Sequence, residues 1–251
     1  MSAFTSFSSL TSAFASLVGQ LADLVQPVFQ EGATAVAIIL FTALVRLAVL
    51  PLSRAAARGQ KARARLAPQL ATLRERHSRH PERLQQAVLE LHAKEKVSPL
   101  SGLLPSLMQA PAFFLLYQVF TGDGLGGELF GAPLGGRWLE ALGGGGVFGA
   151  AGLVYLGLFA VVGAVATFTS VRTRRQLAAS AQPGPAGQPG LPGMGVVAKV
   201  VPLLSFATLV TVAVVPLAAA LYVVTSTVWS AVERVVLYRD MPAAGALATA
   251  G

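Results

Sequence analysis

The residues that could do chemistry in this chain are few and lie in unexpected surroundings. Arg46 sits inside Ala33 to Leu52 (ATAVAIILFTALVRLAVLPL), a twenty-residue run that is otherwise uncharged and long enough to cross a bilayer. A guanidinium at bilayer depth costs about 2.5 to 3.5 kcal/mol on insertion scales, so it calls for a partner, for water, or for a role. Near the other end of the chain, Tyr222, Ser226, Ser230 and Glu233 recur at helical spacing on one face of a second apolar run, and Gln109 interrupts a third. Polar groups in such runs turn toward each other or toward a water-filled cavity rather than toward lipid. The chemistry they offer is non-covalent: a positive charge and a set of hydrogen-bonding groups held in the inner half of a membrane. Two plainer readings stand beside it. Arg46, about 9 Å along a helix from Leu52, could snorkel to the headgroups, and the other polar residues could be ordinary interhelical hydrogen-bonding groups.

Other chemistries find no support in the residues. With no cysteine in the chain, disulfides and thiolate metal sites are excluded. His77, His80 and His92 share one charged segment without a third ligand near the first two, and they read as solvated rather than as a metal site. The sequence holds no HExxH, no nucleotide-binding glycine motif, no serine-histidine-aspartate set and no paired intramembrane carboxylates, so we expect neither catalysis nor a cofactor.

The elements that must position Arg46 are membrane spans. The chain is 54% hydrophobic and only 12% charged, with a mean hydropathy of +0.64, which lies outside the range of soluble domains. Five apolar segments predict five spans: Ala33 to Leu52, Leu100 to Phe120, Val147 to Val171, Val200 to Val215 and Leu217 to Leu237. Val200 to Leu237 is continuous, but as one helix it would be about 57 Å long, nearly twice the hydrocarbon core, so it is expected to fold back near Pro216.

The cations set the orientation. Residues 1–45 hold none, Ser53 to Ser98 hold eleven, Thr121 to Val147 hold one and Arg172 to Lys199 hold four, which by the positive-inside rule puts the N-terminus outside and the C-terminus inside. The fold class predicted is therefore an all-α polytopic membrane protein with five transmembrane helices and a cytoplasmic helical hairpin between spans one and two.

Along the chain this gives an extracytoplasmic N-terminal segment (1–32), the first span (33–52), the basic hairpin (53–98), spans two to five (99–238) and a short cytoplasmic tail (239–251). Within 99–238 lie a Gly-rich outer loop (121–146) and a Gly/Pro-rich inner loop (172–199). In 1–32, Phe14, Leu17, Val18, Leu21, Leu24, Val25 and Val28 follow a helical period, which suits an amphipathic helix on the outer surface or, alternatively, a loosely ordered tail. In the hairpin, Leu66, Leu70 and Leu73 form one stripe and Leu84, Val88 and Leu91 another, separated by His80-Pro81, which predicts two antiparallel helices with a thin apolar seam. Its eleven cations against Glu75, Glu82, Glu90 and Glu95 suit anionic lipid, ribosomal RNA or an arriving substrate, and equally suit positive-inside retention alone.

The order of these parts resembles a known family. TALVRLAVLPLS (Thr42 to Ser53), LAPQL (Leu66 to Leu70), KEKVSPLSGLLPSLMQAPAFFLLYQVF (Lys94 to Phe120) and the closing VVPLAAALYVVTSTVWSAVERVVLYR are similar to the YidC family of membrane protein insertases, over about Gly32 to Tyr238. The resemblance implies a bacterial plasma-membrane protein that inserts hydrophobic segments of nascent proteins through a hydrophilic inner-leaflet groove, without nucleotide. It implies that Arg46 projects into the groove and Gln109 lines it, and the polar stripe read from the residues adds Tyr222, Ser226, Ser230 and Glu233 to the lining. Implied partners are nascent membrane-protein substrates and the bilayer, then the ribosome and the Sec translocon, but not DNA. This chain departs from the family pattern at Ser98, where Asn is usual, at Val223, at Thr227 and at Glu233, where Gln is common. Glu233 is an acid that could neutralise Arg46. Two other functions stay open on the residues alone: a small transporter or channel subunit using Arg46 as an anion site, and an assembly factor that binds membrane proteins without inserting them.

Overall fold

The N-terminal half of the last apolar helix is the centre of the molecule's main core. Leu217, Ala218, Ala219, Ala220, Leu221, Tyr222, Val223 and Val224 are all buried in sequence, so this stretch is enclosed around its whole circumference. Three consecutive alanines there let neighbouring backbones come close, which is how helices pack where lipid removes the hydrophobic incentive to associate.

The computed structural model describes residues 2–76, 81–94, 127–180, 200 and 203–239. They form α1 (Ser2–Phe29), a 3₁₀ turn (Gln30–Gly32), α2 (Ala33–Arg76), α3 (Pro81–Lys94), β1 (Glu128–Leu129), β2 (Ala132–Pro133), α4 (Trp138–Gly145), α5 (Ala150–Ser180), a 3₁₀ turn (Leu204–Phe206), α6 (Ala207–Val214) and α7 (Leu217–Leu237). The chain divides into two compact units, the first comprising Met1–Ala48, Pro111–Arg174 and Pro189–Glu233, the second Val49–Ala110, Arg175–Gln188 and Arg234–Gly251.

In the first unit the core joins α7 to Ala35, Ala37, Ile38 and Phe41 of α2, Tyr155 and Val162 of α5, Val212 of α6 and Val18 of α1. The apolar stripe expected on α1 divides: Val18 is fully enclosed and Leu21 packs beside it, whereas Leu17, Leu24 and Val28 are exposed.

Among the described residues, three stretches, Ala15–Ala62, Ala150–Arg175 and Leu217–Leu237, are long and apolar enough to cross a membrane, yet their most apolar windows are only 28%, 22% and 33% buried. Exposed Leu44, Leu47, Leu153, Val161, Phe168, Val232 and Val236 would be untenable in water, and hydrocarbon is the solvent that suits them. The second predicted span lies outside the described residues. In the fourth, the described apolar helix Leu204–Val214 is too short for a full crossing.

The break expected near Pro216 is present. α6 ends at Val214, Val215 is extended (φ −81°, ψ 156°) as a residue before proline must be, and Pro216 opens α7. The first amides of α7, which no helical carbonyl can satisfy, are taken up from outside the helix: Leu217 N–H donates to the Gly136 carbonyl and Ala218 N–H to that of Leu134, each at 2.9 Å.

Those two carbonyls belong to structure that the sequence concealed. Within the Gly-rich loop, β1 and β2 pair antiparallel, Glu128 with Pro133 and Leu129 with Ala132. The turn residues Phe130 (φ 52°) and Gly131 (φ 79°) are both left-handed, as a tight two-residue hairpin requires. Leu134 N–H closes the ladder on the Gly127 carbonyl at 3.0 Å, and Leu134 is fully buried. Trp138, Tyr155 and Phe159 then form an aromatic cluster, with Trp138 edge-on to Phe159 at 5.2 Å. The Tyr155 hydroxyl also donates to the Gly136 carbonyl at 2.8 Å.

In the second unit, α2 continues as one helix from the first span into the basic segment, so no helix end marks the expected boundary at Leu52. Leu66 is buried, and Leu70, Leu73, Val88 and Leu91 are half-buried. The side chain of Leu84 lies outside the described residues, as do His77, His80, most of the inner loop and the tail from residue 240.

Candidate polar site between the apolar helices

Arg46 and the stripe on α7 meet. Arg46 stands one turn after Thr42, which is buried and donates back to the Ile38 carbonyl at 2.7 Å, satisfying its own hydroxyl within the helix. The Arg46 guanidinium donates from Nη2 to the Ser226 hydroxyl, joining α2 to α7 across 180 positions of sequence. Arg46 is half-buried and Ser226 is 5% exposed. The contact thus lies among packed helices of the first unit rather than at a lipid-facing surface.

The α7 side of the site is a stripe. At 100° per residue, positions 222, 226, 230 and 233 fall within about 80° of one another. Tyr222 and Ser226 are buried, and Ser230 and Glu233 are half-buried. Ser230 donates its hydroxyl to the Ser226 carbonyl at 2.8 Å, and Thr227 donates to the Val223 carbonyl at 2.6 Å. The hydroxyls of Thr227 and Ser230 are therefore committed to their own backbone.

Glu233 does not pair with Arg46. The guanidinium is engaged by Ser226, seven residues earlier and about 10 Å along the helix axis. The neutralisation that Glu233 could have offered is absent because the two groups reach different levels of α7. Among the described residues Glu233 Oε1 is buried without any hydrogen-bond donor. Of the residues expected to line the site, the structure brings together Arg46 and Ser226 and places Tyr222, Ser230 and Glu233 on the same helix face. Gln109 lies outside the described residues.

The residues that hold the far end of α7 were missed from sequence: the carbonyls of Leu134 and Gly136 and the Tyr155 hydroxyl. Backbone acceptors have no sequence signature. The one available signal was Pro216, which announces a helix start whose amides need partners.

Apolar helices with lipid-compatible surfaces, joined inside by a polar contact of an arginine, define a multi-pass α-helical membrane protein. The model of one family, described as the 60Kd inner membrane protein, matches residues 25–244. The chain belongs to that family, and it is accordingly a multi-pass protein of the bacterial plasma membrane.

Its similarity to individual relatives is concentrated in about a third of its length. It is 41% identical over 87 residues to the membrane protein insertase YidC of Clostridium perfringens, covering 35% of this chain and 37% of that protein. It is 40% identical over 96 residues to that of Polynucleobacter asymbioticus, covering 38% of this chain and 17% of the relative. With the YidC of Azotobacter vinelandii it shares 44% over 82 residues, 33% of this chain and 15% of the relative.

Proposed function

We propose that the protein is a membrane protein insertase and chaperone, working without nucleotide and without covalent chemistry. The observation that carries this reading is the Arg46–Ser226 contact, which holds a cation inside the apolar helices where an unsupported charge would be expelled. Family membership supports it, since the relatives it resembles are named insertases.

In the mechanism proposed, Arg46, Gln109, Tyr222, Ser226, Ser230 and Glu233 line a hydrophilic groove in the inner leaflet. A hydrophobic segment of a nascent protein enters with its short polar flank. The flank stays hydrated in the groove, and Arg46 attracts acidic residues on it. The remaining low-dielectric barrier is then thinner than the full hydrocarbon core, and partitioning of the apolar segment into lipid drives the transfer. The basic helical hairpin, with its stripes at Leu66, Leu70, Leu73, Leu84, Val88 and Leu91, serves in this reading to receive substrates at the cytoplasmic face, with the ribosome and the Sec translocon as further partners.

Reconstitution tests it. The protein in lipid vesicles should insert a short single-span substrate with an acidic flank, Arg46→Lys should retain much of that insertion, and Arg46→Ala should lose most of it. Normal insertion by a well-folded Arg46→Ala protein would return Arg46 to a snorkelling role.

A further inference from the structure

Glu233 is the one side chain of the α7 stripe whose chemistry the site leaves unanswered. Its Oε1 is shut off from solvent and has no donor among the described residues. The hydroxyls nearest it are turned to their own backbone, Thr227 to the Val223 carbonyl and Ser230 to the Ser226 carbonyl, and the Arg46 guanidinium donates at the level of Ser226. Arg234 is exposed and, as the adjacent residue, projects about 100° away around the helix. A buried acceptor without a donor is a standing deficit, and the group that relieves it best is a charged donor, an ammonium or a guanidinium. A divalent metal ion fits poorly, because it needs several oxygen ligands and the stripe supplies a single carboxylate.

We infer that Glu233 is a cation subsite, which accepts a lysine or arginine side chain of the segment being inserted. It lies about 10 Å along α7 from the level at which Ser226 holds Arg46. The inference rests on the insertase reading and refines it: the groove would carry two charges of opposite sign at two levels, Arg46 for acidic residues and Glu233 for basic ones. A substrate would then be sorted by the order of charges along its flank as well as by hydrophobicity.

The test uses the full-length protein in vesicles of phosphatidylcholine and phosphatidylglycerol, which carry no primary amine, and substrates identical except for Lys, Gln or Glu in the flank. A carbodiimide joins a carboxylate to an amine only in direct contact. The Lys substrate should form an amide at Glu233, located by mass spectrometry, and the Gln substrate should not. Glu233→Gln should abolish that adduct and lower insertion of the Lys substrate by about tenfold relative to the Glu substrate. Glu233→Asp, which keeps the carboxylate, should preserve the adduct and so separates loss of charge from misfolding.

Absence of the adduct in a protein that inserts the Lys substrate would overturn the inference, as would an equal loss for both substrates in Glu233→Gln. Adding phosphatidylethanolamine checks the other source of an ammonium. If the lipid amine captures Glu233 and suppresses the Lys adduct, the subsite belongs to a headgroup and the proposal fails. If the wild-type protein inserts no substrate at all, the insertase reading falls, while the adduct still decides whether Glu233 binds a cationic side chain.

Discussion

Ser226 is the residue on which the polar site turns. Its hydroxyl accepts from Arg46 while its carbonyl accepts from Ser230, so one position ties the guanidinium to α7 and orders the stripe beyond it. Ser226→Ala would leave a half-buried charge short of an acceptor without creating a sizeable cavity. We expect it to destabilise the protein by about 1 to 2 kcal/mol, more than a neutral interhelical contact would cost, because the donor is charged. Thermal unfolding in detergent measures this, with Thr227→Ala as the comparison, since Thr227 bonds only to its own helix. Equal effects of the two substitutions would mean that the Arg46 contact contributes nothing special. Arg46 and the α7 stripe were legible in the sequence because polar groups in apolar runs are costly and conspicuous. Which of them would pair was not legible, since Ser226 and Glu233 share a face and only three-dimensional placement selects between them.

At the scale of elements, the hairpin β1–β2 and the start of α7 form one construction. The Leu134 and Gly136 carbonyls cap α7, Tyr155 donates to Gly136 as well, and the buried Leu134 anchors the loop. The weak point is the turn. Phe130 holds φ 52° and is 84% exposed, so a large side chain occupies a left-handed position without packing in compensation. Asn followed by Gly suits such a turn far better. Phe130→Asn should therefore stabilise the protein by about 1 kcal/mol, seen as a rise in the unfolding temperature in detergent. A fall instead would show that the Phe130 ring is anchored by a contact outside the chain, such as lipid. The same region shows the limit of composition as a guide: eleven glycines between Thr121 and Gly146 read as a flexible loop, yet residues 127–136 close a ladder and cap a helix. Glycine leaves left-handed turns available, and whether they are used depends on what the loop packs against.

For the whole molecule, we propose from the alternation of cations along the chain a topology of five spans, with the N-terminus outside and the C-terminus inside. Single cysteines at Ser8 and Gly144 should react with an impermeant reagent from outside, and those at Ser78 and Gly187 only after permeabilisation. Labelling of Gly187 from outside intact cells would sink the five-span arrangement, because it would move the basic segment 172–199 across the membrane. The chain contains no cysteine of its own, so each introduced thiol reports alone.

The sequence by itself determined the solvent, the helical class and the family. Hydrophobic run length, the sparsity of charge and the positions of the cations are properties of composition along a line, and a bilayer reads them in that form. The break at Pro216 was equally local, a consequence of ring geometry and a missing amide hydrogen. Tertiary structure alone decided that Arg46 takes Ser226 rather than Glu233, that the first amides of α7 find the carbonyls of a distant hairpin, and that Val18 joins the core while Leu17 and Leu24 stay outside it. The physical reason is the same in each case. A hydrogen bond depends on distance and direction to within tenths of an ångström, and residues of equal polarity on one helix face differ only in the level at which a neighbour meets them.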